Sequence, residues 1–243
     1  MRISSYVCLA LLAVGACSTS APVTPTVQKE TLRVLFIGNS LTYTNDLPDI
    51  VAQLAADDTV PIITGSVAYP NYSLDDHLAQ GDAVQRIQSA RWDVVVLQQG
   101  PSALPESRVA LVAATRDFAP IIHDANAKVA LFGVWPSSDR MSAFDSVTAS
   151  YRNAADAVGG ELYPAGLAWT YAWERNPALP LFGPDGFHPS PMGSLLAALV
   201  IYRGLTGHAL LDIPDHLRIN GEPVSINDTD APILLQAAAR AYY

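Results

Sequence analysis

The chain has 243 residues, half of them hydrophobic and 15% charged, with a formal net charge of −9. That size and apolar content suit one domain around a single buried core and exclude a disordered chain. The acidic balance, with no run of Lys or Arg, excludes a nucleic-acid partner held by a basic face.

Arg2 precedes a short apolar run, Tyr6 to Val14, that is too short to cross a bilayer as a helix and reads as a secretory leader. It ends in Val14-Gly15-Ala16-Cys17, small residues before a cysteine, which resembles a bacterial lipobox. Residues 1–17 therefore read as a lipoprotein-type signal peptide with Cys17 as the lipidated residue. An ordinary signal peptide cut elsewhere is the alternative. Residues 18–30 contain Pro22 and Pro25 and no hydrophobic period, as a flexible tether would, and residues 31–243 form the domain. The expected location is the exported face of a bacterial cell envelope, on a membrane through Cys17. The other cysteine, Cys8, lies in the leader, so the domain can hold no disulfide, thiolate metal site or cysteine nucleophile.

Within the domain, Leu32 to Ile37 is an apolar run ending at Gly38 and predicts a buried strand. A helix is expected over Leu47 to Ala56, capped by Asn45 or Asp46. Pro61 to Ala68 reads as a second strand and Leu74 to Ser89 as a helix, with Gly81 a weak point inside it. Trp92 to Leu97 is the clearest strand, Glu106 to Ala125 a long helix, and Lys128 to Val134 a fourth strand. A helix over Ala143 to Val158, a short fifth strand from Glu161 to Pro164, and helices at Pro191 to Thr206 and Ile233 to Ala241 complete the pattern. Apolar strands alternating with helices predict an α/β fold with a parallel sheet covered on both faces. Sites in such sheets lie beyond the carboxyl ends of the strands.

Gly38-Asn39-Ser40-Leu41-Thr42 follows the first strand at such an end. Ser40 there can cap the next helix. It can equally present its hydroxyl as a nucleophile, with its own N–H facing the reaction centre, if a base lies nearby. Position 42 is Thr, so the Gly-x-Ser-x-Gly elbow of the other large α/β hydrolase group is absent. Asp185-Gly186-Phe187-His188-Pro189 precedes the most apolar helix. An Asp and a His three apart on a loop can pair carboxylate to Nδ1–H and leave Nε2 as a base. A plain capped turn is the alternative.

Together these blocks resemble the SGNH (GDSL-type) hydrolase family over roughly residues 32–206. The resemblance implies a three-layer, flavodoxin-like α/β fold with a five-stranded parallel sheet. It implies Ser40 as nucleophile, His188 as general base and Asp185 as its orienting partner. The family's first block usually has Asp where this chain has Asn39. Its oxyanion hole adds a Gly after the second strand and an Asn after the third to the serine N–H. Here Asn71 stands in place of the Gly and Ser102 in place of the Asn. A branch with Leu-Gln at the third strand end would use a glutamine amide instead. The expected oxyanion donors are thus Ser40, Asn71 and Gln98, with Gln99 the alternative to Gln98.

The reading is a serine esterase acting on a small-molecule ester, without metal or organic cofactor. By family analogy the substrate carries a small acyl group on a carbohydrate or another cell-envelope ester. A lipid-anchored binding protein that keeps the fold without turnover is the rival. Asp75-Asp76-His77 lacks further ligands at metal spacing and reads as a solvated helix face or a local hydrogen-bonding group. Trp169, Tyr171 and Trp173 alternate before the Asp-His loop and suit either a substrate wall or packing.

Overall fold

The computed structural model describes residues 31–243, so the leader, Cys17 and the tether lie outside the described residues. The sheet contains β1 (Leu32–Gly38), β2 (Ile62–Ala68), β3 (Val94–Leu97), β4 (Lys128–Phe132) and β5 (Glu161–Tyr163). All pairings are parallel and the order is β2-β1-β3-β4-β5. This is a flavodoxin-like order, as the resemblance implies. The central strand β3 is buried at every residue, which is why it reads as three consecutive valines before a leucine. The edge strand β2 has exposed and half-buried positions, Ile63 among them.

The helices are α1 (Ser40–Tyr43), α2 (Leu47–Leu54), α3 (Leu74–Gln80), α4 (Asp82–Ser89), α5 (Pro105–Asp124), α6 (Phe144–Asp156), α7 (Ala165–Arg175), α8 (Pro191–Thr206) and α9 (Asp230–Arg240). One layer is made by α2, α7, α8 and α9 and the other by α3 to α6, as their mutual packing shows. The helix α8 is apolar all round because it is buried among α2, α7 and α9. Ser190 caps it by accepting from Gly193 N–H at 3.0 Å.

Three differences from the sequence expectation have physical causes. The helix expected over Leu74 to Ser89 is two, broken at Gly81, and Ser73 with Asp76 forms a capping box on the first. The aromatic alternation at Trp169, Tyr171 and Trp173 hides a helix, α7. Trp169 and Trp173 lie one turn apart and pack edge to face on the inner side, while Tyr171 carries the Arg240 guanidinium 3.9 Å above its ring. Period-two spacing therefore overlies a period of 3.6. Finally, the stretch after α8 holds a small antiparallel hairpin, β6 (Arg218–Ile219) and β7 (Glu222–Pro223), turned at Asn220-Gly221 with φ of 55° and 81°.

Trp169 is fully buried and stacked on Trp135 at a centroid distance of 3.8 Å. Trp169→Ala should lower stability by about 3–5 kcal/mol, the usual result of emptying a large aromatic site. Urea unfolding of the variant beside the parent measures it.

Candidate active site

The site lies where strand order reverses, between the ends of β1 and β3. Ser40 opens α1 directly after β1, so its hydroxyl emerges at the carboxyl edge of the sheet. Asn39 is the N-cap, and its Oδ1 accepts from Leu41 N–H at 3.1 Å. The capping role open to Ser40 is thus filled by its neighbour, and Ser40 Oγ makes another contact.

That contact is His188 Nε2, at 2.8 Å. His188 Nδ1 in turn faces Asp185 Oδ2 at 2.5 Å. The other carboxylate oxygen of Asp185 accepts from the N–H groups of Phe187 and His188, at 3.0 and 2.9 Å. The carboxylate orients the ring so that Nδ1 carries the proton and Nε2 is free to accept one from Ser40. The His188 imidazole, then the backbone N–H of Phe187, draw the Asp185 carboxyl down to about 2. Asp185 is therefore an anion across the whole working range of a histidine base.

The Asp-His loop is held from several sides. Ser138 N–H donates to Gly186 O at 2.7 Å, Trp135 Nε1–H to Phe187 O at 3.0 Å, and Asn45 Nδ2–H to Pro189 O at 3.1 Å. Gly183 N–H closes the loop on His188 O at 2.7 Å. Gly186 has φ 69°, and a Cβ there would fall 2.3 Å from Ser138 Oγ. The backbone conformation calls for glycine at this point, and a Cβ would also push aside the Ser138 hydroxyl.

The expected oxyanion residues fare differently. Ser40 N–H and Asn71 N–H have no acceptor among the described residues. Asn71 is exposed at φ 61°, a left-handed conformation that glycine or asparagine adopts most readily, and this accounts for Asn where the family has Gly. Gln98 is a correction. Its Nε2 donates to Asn39 Oδ1 at 2.9 Å and to Gln99 O at 2.6 Å, so both amide hydrogens are engaged away from Ser40. Gln99 does not take its place. Its Oε1 accepts from Leu74 N–H at 3.1 Å and its Nε2 donates to Ser102 Oγ at 2.9 Å.

His77 is also not on a solvated face. It is fully buried, packed against the rings of Tyr69 and Tyr72, and its Nε2–H donates to Gly38 O at 2.7 Å. Its Nδ1 has no partner among the described residues. The sequence carries a trace of this, since His77 lies three positions after buried Leu74, on the same inner face of α3. Among the described residues no cluster of three or more His, Cys, Asp or Glu is placed to hold a metal.

No family model and no curated protein matches the chain. Solved structures do. A candidate SGNH hydrolase from Slackia heliotrinireducens is 26% identical with a TM-score of 0.60, and the match covers 72% of this chain and 99% of that one. A DUF4886 family protein from Bacteroides uniformis is 18% identical with a TM-score of 0.73, covering 88% and 95%. A catalytic mutant of an acetylxylan esterase from Geobacillus stearothermophilus is 15% identical with a TM-score of 0.54, covering 74% and 97%. The architecture is that of the SGNH (GDSL-type) hydrolases, whose fold the chain shares.

Burial holds His77 neutral and lowers its pKa, against the weaker pull of the Gly38 carbonyl and then of Asp76 and Asp82. The unfolded chain takes up this proton below its ordinary value of about 6.5 while the folded one does not. The stability His77 contributes is thus present above that pH and lost as pH falls toward the depressed folded value. His77→Gln keeps an N–H donor without a titrating ring. Its melting temperature should fall less between pH 7 and pH 5 than that of the parent, as scanning calorimetry at the two pH values would show.

Proposed function

We propose that the protein is a serine esterase in which Ser40, His188 and Asp185 form the catalytic set. The observation that carries this reading is the unbroken chain from Ser40 Oγ to His188 Nε2 and from His188 Nδ1 to Asp185, at 2.8 and 2.5 Å. These are hydrogen-bonding distances already suited to proton transfer.

In the reaction, His188 Nε2 takes the Ser40 proton as Oγ attacks the ester carbonyl carbon. The carbonyl π electrons move onto oxygen, and the N–H groups of Ser40 and Asn71 hold that oxyanion. The tetrahedral intermediate then collapses, the bond to the alcohol oxygen breaks, and His188 delivers its proton to the leaving alcohol. Water repeats the sequence on the acyl-enzyme, with His188 as base and then acid, and releases the carboxylic acid. Asp185 stays charged throughout and stabilises the imidazolium that forms twice per cycle. No step calls on a metal or an organic cofactor.

The substrate proposed is a small acyl group on a carbohydrate or another cell-envelope ester, reached by an exported protein anchored through Cys17. Supporting it are the acetylxylan esterase among the structural neighbours and the lipobox-like end of the leader. His188 and Asp185 have half-exposed side chains, so an ester on a bulky or immobilised alcohol can approach that side of the site.

The domain should hydrolyse a short-chain chromogenic ester. Ser40→Ala should lower kcat by about 10⁴-fold or more, leaving only the residual from binding and the oxyanion hole. If parent and variant are equally inert from acetyl to octanoyl esters, the protein is a binding protein on this fold and the esterase reading falls.

A further inference from the structure

Gln98 occupies the place where a third oxyanion donor is expected, yet its amide is buried and fully engaged elsewhere. The orientation of that amide is dictated by partners whose chemistry leaves no choice. The backbone N–H of Asn39, at 2.9 Å, must face an oxygen, and the Gln99 carbonyl, at 2.6 Å, must face a nitrogen. Oε1 therefore points at Asn39 N–H and also receives the Thr42 hydroxyl at 2.7 Å. Nε2 then meets Asn39 Oδ1 at 2.9 Å. Asn39 and Gln98 thus form a reciprocal pair, each giving and receiving one hydrogen bond.

Resting on the esterase reading above, we infer that Gln98 is a positioning residue that assembles the oxyanion hole through Asn39 instead of donating to the oxyanion. Two backbone N–H groups from different segments must converge on one oxygen. Ser40 N–H sits at the start of α1 after β1, and Asn71 N–H on the loop after β2. Asn39 is the residue that touches both. It is bonded covalently to Ser40, and its Nδ2–H donates to Tyr72 O, next to Asn71, at 3.0 Å. Gln98 holds Asn39 at its backbone N–H and at its side-chain oxygen at once. Removing Gln98 frees Asn39 to turn, and both donors then move together.

The space around the pair is made for it. A Cβ at Gly38 would lie 2.4 Å from Gln98 Oε1 and 2.4 Å from Thr42 Oγ1. The last residue of β1 must therefore be glycine for this amide to reach Asn39. Beneath it, His77 anchors the Gly38 carbonyl. A glutamine that merely ended its strand would need neither the empty place at Gly38 nor a polar partner on each side.

The experiment is a double-mutant cycle on ester hydrolysis with Gln98→Met, Asn39→Ala and the double variant, each checked for a cooperative melt. Each single change should lower kcat by about 10²-fold, the scale of a 1 Å misplacement, with KM little changed. The double variant should be no slower than the slower single, because both act through one element. Gly38→Ala leaves Gln98 present but displaced, and should give the same loss if Gln98→Met does not fold. Losses that multiply in the double variant would show independent donation to the oxyanion and overturn the inference. Singles with unchanged kcat and a lower melting temperature would reduce the pair to ordinary packing and overturn it too. An active parent with either result leaves the esterase reading standing, whereas an inert parent defeats both.

Discussion

The site depends on one buried interaction, the reciprocal amide pair between Asn39 and Gln98. It joins the end of β1 to the end of β3 across the switch point of the sheet. Each strand is rigid because it is buried on both faces, so fixing the two ends fixes the turn between Gly38 and Ser40. From that turn the rest follows. The helix α1 starts with its cap on Asn39, Ser40 Oγ faces His188, and the loop after β2 is drawn in by the bond to the Tyr72 carbonyl. A buried amide left unpaired costs about 1–3 kcal/mol, so a network satisfied on every side also selects a single geometry.

The other half of the site is held by different means. The Asp-His loop has no regular structure of its own, yet bonds from Ser138, Trp135 and Asn45 lock it. Trp135 belongs to the aromatic stack that includes Trp169, so the packing of α7 reaches the histidine loop through one indole N–H. The aromatic residues before this loop thus serve as its foundation. Trp173 also lines an open apolar recess of about 430 Å³ beside Ser138 and Phe182.

Much of this was legible in the sequence, for identifiable reasons. The strands show as short apolar runs because they are buried on both faces; the end of the first locates Ser40, and the start of the most apolar helix locates the Asp-His loop. What stayed hidden depends on side-chain direction. The sequence places Gln98 at the correct strand end, but a glutamine there can face the substrate or turn back on the nucleophile loop. Only the position of Asn39 N–H decides between them. His77, beside two aspartates, read as solvated or as a local hydrogen-bonding group, although its place on α3 sets it on the inner face with Leu74. The helix α7 escaped because its aromatic residues fall at every second position, which masks that Trp169 and Trp173 are one helical turn apart.

These relations make one claim central: Ser40 is a nucleophile because His188 removes its proton. A serine-directed phosphonate tests this without any assumption about the natural ester. Intact-mass analysis of the domain from residue 31 onward should show a single adduct that maps to Ser40. The adduct should form at a rate lowered by about 10³-fold or more in His188→Ala. Equal labelling in parent and variant, or an adduct on a different residue, would contradict the account.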